Sequence, residues 1–134
     1  MNKEQEFIIF WSDRIPELKN KFEKELKVMN DNEYYQNENN RVYHLMSCPF
    51  TAYFDEALAN QDLNKLELFF KTFDEYYNIF KGQFVTNDNI PNDLIIDILY
   101  TYIFEGIGED DKQIAIKSMP ISINQMYQEW LQSF

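Results

Sequence analysis

The sequence predicts an all-α fold, and three observations predict it. Apolar residues recur at steps of three and four along nearly the whole chain. Three Gly and four Pro in 134 residues leave little material for the tight turns of a β fold. The one segment rich in β-branched residues, 94–104, is too long for an ordinary strand and follows Pro91, which is suited to a first helical turn. Leu, Ile, Val and Phe fill 39 positions, about 29% of the chain and well above an acidic disordered sequence, so a core is expected. The length suits one helical domain over residues 1–134.

Phe7, Ile8, Phe10 and Trp11 make a short amphipathic turn or two. Pro16 opens the next helix, with Leu18, Phe22, Leu26 and Met29 on its inner side and alternating Glu and Lys outside. Residues 30–40 hold five Asn and read as a loop, into which Tyr34 and Tyr35 tuck back. A third helix is expected from Pro49 to Asn60, burying Phe50, Tyr53, Phe54, Ala57 and Leu58. Asp62 caps a fourth, whose stripe runs through Leu63, Leu66, Phe69, Phe70, Phe73, Tyr76, Tyr77 and Phe80 to a stop at Gly82. The short gap between these two implies an antiparallel pair.

From Pro91 a helix carries apolar residues round most of its circumference, from Leu94 to Phe104, and Gly106 and Gly108 close it. Asp110 or Asp111 caps a short segment ended by Pro120. Ser122-Ile123-Asn124-Gln125 reads as a capping box for a last helix that buries Met126, Tyr127, Trp130, Leu131 and Phe134. The result is six or seven helices in a bundle or irregular array.

Charge narrows the function. With 23 Asp and Glu against 12 Lys and Arg, the net charge of −11 opposes unaided binding to nucleic acid or anionic lipid and favours a basic protein partner. No apolar run reaches membrane-spanning length, and the N-terminal residues have no signal-peptide pattern. A single cysteine suits a reducing cytoplasm. The acids are unevenly spread. Residues 82–111 contain no Lys, Arg or His but seven acids, Asp88, Asp93, Asp97, Glu105, Glu109, Asp110 and Asp111. A second base-free stretch, 28–40, holds Asp31, Glu33 and Glu38, together with Tyr34 and Tyr35. Tyr among carboxylates is the composition of an anchor inside an electrostatic rim.

Catalytic patterns are sparse. His44 and Cys48, four apart, would share a helix face, but a nucleophilic pair also needs a third group to orient the ring. The plainer account is a partly buried His beside a small apolar Cys. One His and one Cys fall short of a zinc site. Asp93 and Asp97, one turn apart, lack the Glu-x-x-His motifs of a di-iron bundle and read as a solvated face. There is no phosphate loop, nucleophile elbow or calcium-loop pattern, so neither an enzyme nor a cofactor is expected.

Three segments, Trp11–Glu17 (WSDRIPE), Leu45–Phe54 (LMSCPFTAYF) and Ser118–Trp130 (SMPISINQMYQEW), lie in a small, acidic, aromatic-rich helical chain. In overall type the chain resembles the immunity proteins of bacterial toxin systems and the uncharacterised helical domains found beside them. The resemblance implies inhibition without catalysis, by tight binding to a cognate toxin that is often a basic nuclease. Asp88, Glu109, Asp110 and Asp111 are then the first candidates for contacts, followed by Asp31, Glu33, Tyr34 and Tyr35. The competing classes are an acidic helical adaptor, a DNA mimic with carboxylates in a phosphate-like stripe, and an enzyme using His44 and Cys48.

Overall fold

The computed structural model describes residues 1–85 and 93–134. The expected helix start at Pro91 and the candidate contact Asp88 lie outside the described residues. The described residues form seven α-helices and no strand; Val85 and Asp93 make one isolated antiparallel bridge. The chain divides into two compact units, Met1–Tyr53 and Phe54–Phe134.

In the first unit, α1 covers Lys3–Arg14 and α2 Glu17–Asn30. The single turn or two expected at the N-terminus is a full helix of 12 residues, because Asn2 and Gln5 close a reciprocal capping box. Phe7 and Trp11 from α1, Phe22 from α2 and Phe50 from the following helix make the buried centre, with Trp11 and Phe50 ring centroids 4.3 Å apart. The polar stretch after α2 is more ordered than a loop. A 3₁₀ turn occupies Glu33–Gln36, and α3 begins at Glu38.

α3 corrects the expected start at Pro49: it runs 22 residues, Glu38–Ala59, with Pro49 inside. An interior proline costs a helix about 3 kcal/mol. Burial on one face offsets that, since Val42, Leu45, Met46, Phe50, Tyr53, Phe54, Ala57 and Leu58 form a continuous buried stripe across the proline. Side chains beside it also hydrogen-bond to the helix backbone: Ser47 Oγ donates to the His44 carbonyl at 3.1 Å and Thr51 Oγ1 to the Ser47 carbonyl at 2.6 Å.

In the second unit, the end of α3 and α4 (Leu63–Phe80) form the expected helix pair, with Phe54 packing on Phe69 and Phe70. Asp62 caps α4 by accepting from Lys65 N, and Gly82 follows the helix at φ +83°, where only glycine is unstrained. The segment after the undescribed residues is not one uniform helix. α5 is Leu94–Ile98; the backbone then widens to a π-helix over Leu99–Ile103 and tightens to a 3₁₀ turn at Phe104–Gly106. A wider turn keeps Ile95, Leu99 and Ile103, spaced by four, on the buried side. Asp93 is the N-cap of α5, and Asp97 stands one turn on, its N–H donating to the Asp93 carbonyl at 3.1 Å.

α6 is Lys112–Ser118 and α7 Ile121–Gln132. The expected capping box at Ser122 is absent: Pro120 is the N-cap, and Ser122 Oγ donates to Asp74 Oδ1 on α4 at 2.7 Å. Ser122 is the second residue of α7, already inside the first turn, so it does not occupy the cap position. Ile121, the first residue of α7, is 89% exposed. Ile123 and Tyr127 are the buried residues of α7; Phe134, expected in the core, is 83% exposed.

Candidate functional site

The contact residues expected from the sequence fall into two described groups, one in each unit. In the first, Asn32 caps the 3₁₀ turn by accepting from Tyr34 N at 3.0 Å, and the turn holds the two tyrosines in opposite roles. Tyr35 tucks back as expected: its ring centroid lies 4.9 Å from that of His44, and its hydroxyl is 3.3 Å from His44 Nδ1. Tyr34 does not. It is 67% exposed and meets Tyr35 edge-on at 4.9 Å. Asp31 and Glu33 are exposed on either side, and among the described residues neither has a cation at ion-pairing distance.

The other acid of this stretch has a different job. Glu38 Oε1 accepts from the backbone N–H groups of Lys3 and Glu4 at 2.5 and 3.4 Å, placing a carboxylate at the positive end of α1. Arg41, one residue beyond the base-free stretch, folds back to close it. Its guanidinium pairs with Glu4 at 2.8 Å and donates to the Tyr35 carbonyl and the Asn30 side chain. Asn2, Asn30, Asn32, Gln36 and these charged groups line a polar cleft of about 460 Å³.

In the second unit, Glu109, Asp110 and Asp111 sit together on a 3₁₀ turn directly before α6. The turn is less base-free than the sequence suggests. Lys112 Nζ reaches Glu109 Oε1 at 2.7 Å, and this hydrogen bond raises the lysine's pKa. Asp111 Oδ1 accepts from Gln61 at 3.0 Å. Behind the turn, burial raises the pKa of Tyr127. Asp110 remains exposed beside a cleft of about 320 Å³ that it lines with Gln61, Leu63, Gln113, Ile114 and Lys117. Asp93 is structural: its carboxylate accepts from Gly82 N and Ile95 N, at 2.7 and 2.8 Å.

His44 and Cys48 depart from the plain account of the pair. Cys48 is exposed, and its Sγ lies 3.9 Å from His44 Nδ1. The opposite ring nitrogen, Nε2, is 2.7 Å from Glu25 Oε2 on α2. Sequence reading missed Glu25, which resembles any other outward Glu of a charge-alternating helix; a pairing 19 residues apart leaves no local signal. Among the described residues no group of three His, Cys, Asp or Glu could hold a metal ion, and no helix is long and apolar enough to cross a membrane.

Compared with known proteins, the chain matches no family model, no curated protein and no solved structure.

Proposed function

We propose that this chain is a non-enzymatic, cytoplasmic protein-binding inhibitor of the immunity type, neutralising a basic cognate toxin by covering its active or substrate-binding surface. The observation that carries the reading is the tip at Asp31–Tyr35. There an exposed tyrosine stands on a capped turn, backed by a second tyrosine that is tied to His44, between two exposed carboxylates. An aromatic anchor already held in place loses little conformational freedom on binding, and hot spots favour such residues. A net charge of −11 would steer a cationic partner and raise the association rate. A toxin that acts on nucleic acid has Lys and Arg arranged for phosphates, which is the complementary surface.

The acidic turn Glu109–Asp111 in the second unit supports the same reading as steering charge, with Asp110 its most available member. The test is co-expression with the product of the adjacent upstream gene, scored by growth and by co-purification. Rescue with a stable complex is the expected result. A toxic neighbour that this protein neither binds nor silences overturns the immunity reading and favours a helical adaptor for basic peptides. With the partner in hand, Tyr34→Ala should cost about 2 kcal/mol, roughly a thirtyfold faster dissociation. Charge reversal at Asp110 and its neighbours should instead slow association and flatten its salt dependence.

A further inference from the structure

From the geometry around Cys48 we infer that its thiol is an activated nucleophile, a site for thiol–disulfide exchange with low-molecular-weight disulfides. Three side chains from two helices build the site, and each contact sets the next. Glu25 on α2 accepts from His44 Nε2 at 2.7 Å, with both side chains largely buried, so the carboxylate holds the imidazole proton on Nε2. That leaves the Nδ1 lone pair as an acceptor, facing Cys48 Sγ one helical turn further along α3 at 3.9 Å. The sulfur is exposed to solvent while its base and the base's orienting group are sheltered. A nucleophile, a base within hydrogen-bond reach and a third group fixing that base is the arrangement that activates a thiol.

The step balances without any further reagent. The Cys48 proton passes to His44 Nδ1, giving an imidazolium stabilised by Glu25. The thiolate attacks one sulfur of the disulfide, the S–S bond breaks, and a mixed disulfide forms on Cys48. The departing thiolate then takes the proton from His44. Tyr35 modulates this relay, since its hydroxyl lies 3.3 Å from the same Nδ1 and competes with the thiol for one lone pair.

The experiment measures the second-order rate of Cys48 with 4,4′-dithiodipyridine at neutral pH on the full chain. Each variant's native rate is divided by its own rate in denaturant, which normalises for intrinsic thiol reactivity. The contribution of the unfolded fraction, measured by urea unfolding of each variant, is subtracted from the native rate. His44→Gln and Glu25→Gln should each lower the normalised rate roughly tenfold. Tyr35→Phe, which keeps the packing ring and removes only the competing hydroxyl, should react at the wild-type rate or faster. His44→Gln or Glu25→Gln reacting as fast as wild type, or Tyr35→Phe reacting well below it, overturns the assignment.

Discussion

Replacing Glu38 tests whether an acid in a base-free stretch serves the fold or the surface. Its Oε1 takes two orphan N–H groups at the start of α1, from Lys3 and Glu4. Hydrogen bonds to a charged group contribute about 1.5–3 kcal/mol, and a carboxylate at a helix N-terminus adds about 0.3–1. The second contact is long at 3.4 Å, and the site is partly open to solvent, which screens it. Glu38→Ala should therefore cost about 1–2 kcal/mol. Glu38→Gln, which keeps the acceptor and drops the charge, should cost about half that. The Asn2–Gln5 capping box stays intact in both variants, so the helix should loosen at its first turn without being lost. Urea unfolding followed by tryptophan fluorescence in a Trp130→Phe background isolates Trp11, the reporter buried in the first unit. A midpoint for Glu38→Ala within about 0.3 kcal/mol of the parent would refute the capping role.

Asp93→Ala removes the acceptor of both Gly82 N and Ile95 N and should cost about 1–3 kcal/mol by urea unfolding in a Trp11→Phe background, read through Trp130 in the second unit. Ser122→Ala should cost about 1 kcal/mol through its bond to Asp74, and Asp74→Asn should take away much of the same contribution; a true N-cap would be indifferent to Asp74. Asp55 is displaced upward from its ordinary 3.8 by burial, so its folded form holds a proton more tightly than its unfolded form. Its contribution to stability is thus present at low pH and lost as pH rises through the raised value. Asp55→Asn should raise the melting temperature slightly at pH 7, with the gain vanishing near pH 3; an equal gain at both pH values would contradict the burial effect.

Periodicity in the sequence was enough for the long stripes. The α4 stripe from Leu66 to Tyr76 is buried almost as written, and the Asp62 cap and Gly82 stop stand where their chemistry requires them. The errors share a cause: a local signal was read where a tertiary contact decides. Pro49 looks like a helix start, yet Val42, Leu45 and Met46 before it continue the spacing of Phe50, Tyr53 and Phe54 after it, and burial of that face outweighs the proline. Ser122 fits a capping box by sequence, but α7 starts one residue earlier, after Pro120, and its hydroxyl instead donates to Asp74, 48 residues away. At the candidate sites, Tyr34 is exposed and Tyr35 half-buried because His44 can reach only one of two adjacent rings, a distinction no composition contains.

The acids show what net charge alone conceals. Glu38, Asp62 and Asp93 satisfy backbone N–H groups, Asp74 holds a serine, Glu4 an arginine and Glu25 a histidine. Each of these lowers the free energy of the folded chain, so their presence needs no partner to explain it. Among the acids that remain exposed with no cation at ion-pairing distance among the described residues are Asp31, Glu33, Glu105 and Asp110. Like charges left in that state gain nothing from the fold and repel one another. A basic partner would relieve that repulsion, and the residue it would meet beside two of them is Tyr34. Within the base-free stretch 28–40 the structural acid is Glu38, and the two acids that remain, Asp31 and Glu33, flank the turn that also holds Tyr35 against His44.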